Sequence, residues 1–215
     1  MTQIPFAEIW VCDFEFRGGE GERPSPLCLV AREVRSSRYI RMWRSELLVT
    51  SAPPFNIGPD AVIVAYSAHA ELQCFRALGW RFPFNVVDLY AEHLVAVNGW
   101  ELQRSVLPSR SLLSAMAFRG ISSMQGARKD AMRKLILERD SWSEAEQEDI
   151  LDYCDEDTIS SIRLLRHMSF DIDWPAALLR GRYSGALACM EWTGVPLDVN
   201  LYRRLSANWS ALKRS

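Results

Sequence analysis

The segment AVIVAYS (Ala61–Ser67) constrains the fold more than any other part of the chain. A strand with one wet face alternates apolar and polar residues. An unbroken apolar run belongs to a strand covered on both sides. The residues that follow, Ala68–Leu78, read as a helix stopped by Gly79 at its C′ position. FNVVDLY (Phe84–Tyr90) repeats the scheme as a fifth strand running into a helix. Ahead of both lie three more strand patterns, EIWVCDFEF (Glu8–Phe16), LCLVAREV (Leu27–Val34) and RYIRMWR (Arg38–Arg44). They are joined by the turn-rich GGEGERPSP (Gly18–Pro26) and a short RSS link, and short links imply antiparallel neighbours. The expected class is α/β: three antiparallel strands and two strand–helix units in one mixed sheet, flanked by helices.

From about Ser109 the pattern turns helical. SRSLLSAMAFRG forms one helix stopped by Gly120, and RKDAMRKLILERD a second. A third begins at Ser143, where Glu146 three positions on completes a capping box. Its apolar positions Ile150, Leu151, Cys154, Thr158, Ile162 and Leu165 recur at helical spacing. FDIDWP (Phe170–Pro175) breaks the pattern. We therefore divide the chain into residues 1–172 and a short helical extension, 173–215.

Net charge is −2, so overall charge leaves no nucleic-acid footprint; a polyanionic partner requires a local basic groove or bound cations. The N-terminus MTQIPFAEIW has no signal-peptide pattern, and no apolar run approaches the ~18 residues of a membrane span, so a cytoplasmic protein without a membrane partner is expected. Five scattered cysteines without CxxC spacing imply reduced, buried thiols. Three histidines are a poor inventory for zinc or serine–histidine chemistry.

The acids are more informative. Asp13 and Glu15 lie two apart on a strand, so both point to one face. Among Val11, Phe14 and Phe16 such a pair is costly unless cations or donors neutralise it, or unless it lies on a solvent-facing edge. Glu71 falls in the first turn of the helix after the buried strand, where the helix dipole also favours an acid. Tyr153 and Asp157, four apart, share a helix face, while Asp152, Asp155 and Glu156 read as a solvated one. If the first strand, the fourth strand's end and the late helix converge, four carboxylates meet. They repel unless divalent ions neutralise them, and oxygen-only ligands favour Mg²⁺ or Mn²⁺. Two such ions about 4 Å apart suit phosphodiester hydrolysis.

At these residues the sequence resembles the DEDDy-type 3′–5′ exonucleases, in particular the proofreading domain of family A (DNA polymerase I-like) DNA polymerases. DFE at Asp13–Glu15 is similar to the first motif, D-x-E, and YCDED at Tyr153–Asp157 to the third, Y-x-x-x-D. The middle motif reads N-x-x-x-D in that family; here Ser67 stands for Asn and Glu71 for Asp, in the same frame and with the same helix length to Gly79. In the tail, Met190, Glu191, Gly194, Val195 and Asp198 are similar to the M-E-x-x-G-V-x-h-D pattern that leads into the polymerase part of such enzymes.

The resemblance implies a ribonuclease H-like fold and two divalent metal ions. Asp13, Glu15 and Asp157 would ligate the tighter ion. Asp13 would bridge to a second ion held by Glu71, and Tyr153 would orient the attacking water. It also implies single-stranded DNA or frayed 3′ ends as partner, with a polymerase domain in cis. Phe14, Phe16 and Phe75 are candidates for stacking on bases, or for plain core packing. Arg128 and Lys129, with Arg133 and Lys134, either follow the phosphate backbone or form a solvated basic face. The departure at Glu71 bears on the second ion, since its extra methylene moves the carboxylate by about 1.5 Å, while Ser67 lacks an amide that could position the strand end. Two alternatives share these features, an RNase D-type exoribonuclease and a catalytically weakened domain that binds single strands or braces a polymerase.

Overall fold

The structure, a computed structural model, describes residues 4–19, 21–98, 110–122 and 126–213, with residues 126–129 described by backbone alone. Strands β1 (Glu8–Arg17), β2 (Ser25–Glu33) and β3 (Tyr39–Trp43) pair antiparallel in sequence, and a one-turn helix α1 (Arg44–Leu47) ends the run. β4 (Ala61–Ala65) and β5 (Val86–Asp88) join parallel to β1, giving the order β3-β2-β1-β4-β5. The helix α2 (Ala68–Ala77) forms the crossover between β4 and β5. The remaining helices are α3 (Leu89–Val97), α4 (Leu112–Phe118), α5 (Gly126–Glu138), α6 (Glu144–Met168), α7 (Trp174–Thr193) and α8 (Val199–Leu212). The fold is α/β with a mixed sheet, as the strand spacing predicts.

All five residues of β4 are buried, which accounts for its missing alternation. On one side of the sheet Ile9 and Val11 of β1 pack with Val62, Val64, Met116 of α4, and Leu164 and Leu165 of α6. On the other, Trp10, Cys12 and Phe14 pack with Ile63, with Cys74 and Phe75 of α2, and with Trp80. Alternate residues of β1 thus serve two separate clusters.

Local chemistry sets the helix ends. The Ser143–Glu146 capping box forms, with Glu146 Oε2 accepting the Ser143 N–H at 2.8 Å. The fifth strand is shorter than the Phe84–Tyr90 pattern because Asp88 is the N-cap of α3, its side chain accepting the Tyr90 N–H at 3.0 Å. The break at 170–175 is the turn between α6 and α7, where Asp173 caps α7 and Pro175 sits in its first turn. α7 returns to the sheet: a Cβ on Gly181 would stand 1.9 Å from the Val86 carbonyl oxygen. Arg180 forks onto Glu92 of α3 at 2.6 and 2.7 Å. α8 has no buried residue.

Glu33, at the end of β2 and 2% exposed, accepts the N–H groups of Ile9 (2.9 Å), Arg35 (3.0 Å) and Ser36 and the Ser36 hydroxyl (2.6 Å). Burial pushes its pKa up, but these donors outweigh it and hold the carboxyl below its ordinary value. The described cysteines are all free, and every one except Cys189 is buried. No helix among the described residues is long and apolar enough to cross a membrane.

Candidate metal centre

β1 outruns β4. The two strands pair only from Glu8 to Val11, opposite Ala61 to Val64. Beyond that point the chain of β4 has turned into α2, so the far half of β1 lacks a strand on that side. Asp13 and Glu15 lie on this overhang, on the same side as Ile9 and Val11, and the register with β2 shifts between Glu15 and Phe16. The residue left over by this shift is Leu27 of β2, and such an irregularity raises the local twist of the pair beside the acids.

α6 crosses the same face and completes the group. One carboxylate oxygen each from Asp13, Glu15 and Asp157 lies within 4.8 Å of the others, the one such grouping of metal-ligating side chains found among the described residues. Cys154, one turn before, is held to β1 by its thiol, 3.2 Å from the Asp13 carbonyl oxygen. Tyr153 is 5% exposed and donates its hydroxyl to Asp157. Burial first, then the charges of Asp157, Glu15 and Asp13, push its phenol far above the ordinary range, so it keeps its proton at neutral pH.

Glu71 arrives from the other face of the sheet. It is 5% exposed and accepts the backbone N–H of Phe14 on the β1 overhang. Its Oε2 is buried and has no hydrogen-bond partner among the described residues. Burial, then the charges of Asp13 and Glu15, raise its pKa well above the ordinary carboxylate value. Glu71 stands outside the 4.8 Å group but within its field.

The start of α2 is strained. Ser67 has φ 68° and ψ 51°, a left-handed conformation that costs a non-glycine residue roughly 1–2 kcal/mol and that Asn tolerates best. Asp88 secures it. Its Oδ1 accepts the Ser67 N–H at 3.0 Å along with that of Tyr90, and its Oδ2 accepts the Ser184 hydroxyl of α7 at 3.1 Å. This carboxylate, which the sequence reading did not single out, therefore ties three elements behind the site.

The other sequence candidates lie as follows. Phe14 and Phe75 are buried and meet edge to face, 5.9 Å between centroids; Phe16 is half-buried against the same cluster. The side chains of Arg128 and Lys129 lie outside the described residues. Asp152 is exposed, as a solvated face requires, but Asp155 is only partly so, and both are paired. Arg32 of β2 forks onto Asp155 at 2.6 and 2.7 Å, and Arg41 of β3 reaches Asp152 at 2.9 Å. Those pairs anchor α6 over the sheet. The signal for them is an arginine at alternate positions of two strands facing an acidic helix, visible only once the pairing is known.

No protein-family model matches the chain, and no curated protein matches it. Among solved structures the chain is similar to the crystal structure of Escherichia coli RNase D, an exoribonuclease involved in structured RNA processing, with a TM-score of 0.50 and 14% identity. The match covers 94% of this chain and 49% of that one, so the chain spans about half the length of that structure. At this identity the likeness speaks to the fold, which is ribonuclease H-like.

Proposed function

We propose that this chain is a metal-dependent 3′–5′ exonuclease that hydrolyses phosphodiester bonds at the ends of single-stranded polynucleotides. The observation that carries it is the convergence of Asp13, Glu15 and Asp157 within 4.8 Å. Tyr153 hydrogen-bonds that cluster, and Glu71 is buried in its field.

The donor set fits hard divalent ions: the gathered ligand atoms are carboxylate oxygens, and Oε2 of Glu71 is buried with no hydrogen bond to meet its charge. Asp13, Glu15 and Asp157 would hold one Mg²⁺ or Mn²⁺, and Glu71 together with Asp13 the second. When bound, such ions stabilise the attacking and leaving oxygens and make water a competent nucleophile at neutral pH. The protein's own contribution is placement. β1 fixes Asp13 and Glu15 through its ladder with β2. α6 fixes Asp157 through its arginine pairs. The Tyr153 phenol, buried and hydrogen-bonded to Asp157, is placed to orient water beside that carboxylate.

DNA 3′ ends are the substrate that the polymerase-like tail supports, and the same tail supports a polymerase domain in cis. It forms the end of α7, the turn at Gly194 and the Asp198 cap of α8. A second reading, hydrolysis of RNA, is favoured by the fold likeness to RNase D. One experiment tests both: 5′-labelled DNA and RNA of the same sequence, incubated with Mn²⁺ beside Asp157→Ala. The expected result is stepwise shortening from the 3′ end by the unmutated protein alone, with the faster strand naming the substrate. No shortening of either strand, or equal ladders from both proteins, refutes the proposal.

A further inference from the structure

The end of the sheet that carries the acids also gathers positive charge. Past Glu15, β1 continues to Arg17, and Gly18 and Gly19 lead the chain into the hairpin toward β2. A cavity of about 700 Å³ lies against this hairpin. Its wall holds Arg17 of β1, Arg23 of the hairpin, Arg44 of α1 and Arg133 of α5, with a single acid, Glu22, among the described residues. That acid is already engaged, its Oε2 accepting the Gly19 N–H at 3.0 Å.

Two of the guanidinium groups are held in place. Arg17 pairs with Asp140 at 2.6 Å; Arg23 donates to the Trp192 carbonyl at 3.2 Å and lies 4.6 Å from that indole's centroid. A guanidinium has five N–H donors, so each keeps some for another acceptor. Arg44 and Arg133 have no ion-pair partner among the described residues. Like charges drawn from four separate elements around one cavity repel, and in a chain of net charge −2 they form a local exception. An anion with several oxygens answers both the repulsion and the forked donor geometry.

Position identifies the anion. Arg17 lies two residues beyond Glu15, about 7 Å along a strand. A polynucleotide whose terminal phosphodiester rests on the carboxylates has its next phosphates within reach of this cavity. We propose that the arginine-lined cavity binds the phosphates on the 5′ side of the scissile nucleotide, as a backbone track for single strands. The track rests on the exonuclease reading above and specifies where the substrate's remaining charge goes.

The test uses Arg44→Glu, Arg133→Glu and the pair together, with Arg→Gln and Arg→Lys versions of both positions. Affinity for a labelled single-stranded 12-mer is measured by fluorescence anisotropy in EDTA over a salt series. In the double Glu variant it is expected to fall about tenfold or more, and the slope of log K against log salt by about 1.4, two lost single-strand phosphate contacts. The Gln pair lowers the slope alike, and the Lys pair retains it. Hydrolysis of a dinucleotide, too short to span acids and cavity, stays within twofold of the unmutated rate while that of the 12-mer drops. Unchanged affinity and slope in the folded double Glu or Gln variant overturn the track. If the unmutated protein cleaves neither substrate, the exonuclease reading falls, and the anisotropy series still decides whether the cavity binds phosphates.

Discussion

Asp157→Asn separates the stability of the site from its function. The change keeps the side chain's shape and removes one of three charges whose oxygens lie within 4.8 Å of one another. At that distance two unit charges repel by about 1 kcal/mol in water and about 3.5 kcal/mol at an effective dielectric of 20. The three carboxylates are half-buried, which places the interaction between those limits. Asp157 faces two such neighbours. Against this, the hydrogen bond from Tyr153 loses a charged acceptor, worth about 1 kcal/mol. Without divalent ions the Asn variant is therefore expected to be more stable than the unmutated chain by about 1–3 kcal/mol. For a chain of this size each kcal/mol moves the melting temperature by about 2–4 °C. With Mn²⁺ the order changes. The unmutated protein gains about 2.7 kcal/mol once the ion exceeds its dissociation constant a hundredfold, while the variant gains little. Thermal unfolding by circular dichroism, in EDTA and across a Mn²⁺ series, reads both effects. An Asn variant less stable than its parent in EDTA, or one that gains as much from Mn²⁺, would refute the reasoning from clustered charge.

Gly181→Ala places a Cβ 1.9 Å from the Val86 carbonyl oxygen and 2.6 Å from its carbon. Overpacking of about 1–3 kcal/mol or more outweighs the roughly 1 kcal/mol gain in helix propensity, so the melting temperature is expected to fall by several degrees. Glu33→Gln is expected to destabilise the protein at pH 7. Because the folded pKa of Glu33 lies below its unfolded value, its contribution is full above the unfolded pKa and is lost as pH falls through the folded one. Urea midpoints of parent and Gln variant should therefore converge between pH 6 and pH 3; a gap that stays constant refutes a titrating carboxylate as its source.

Much of this was legible because it is written in spacing. The unbroken run of β4 announces burial on both faces, the D-x-E step puts two acids on one side of a strand, and four residues put Tyr153 over the same point as Asp157. The Ser143–Glu146 cap is equally local. What spacing does not carry is the identity of distant partners. Arg32 and Asp155 are 123 positions apart, and Asp155 looked solvated until the sheet brought them together. Asp88 sat unremarked inside the fifth strand pattern, and its bond to Ser184 depends on a helix 96 positions later. Ser67 looked like a lost amide; its left-handed backbone, which Asn tolerates better than most residues, carries no mark in the local spacing. The close approach of Gly181 has no local mark, because one glycine among the small residues of α7 looks like the next.

α7 also has a bearing on how the protein avoids sticking to itself. β5 is the last strand of its sheet, three residues long, and an uncovered border of that kind invites pairing with another chain. By seating Gly181 on the Val86 carbonyl, the helix acts as a hem along that border. Trimming the chain at residue 172, where the sequence pattern suggests a natural cut, would unpick the hem, bare Val86 and Leu72, and take Ser184 from Asp88 in the same stroke.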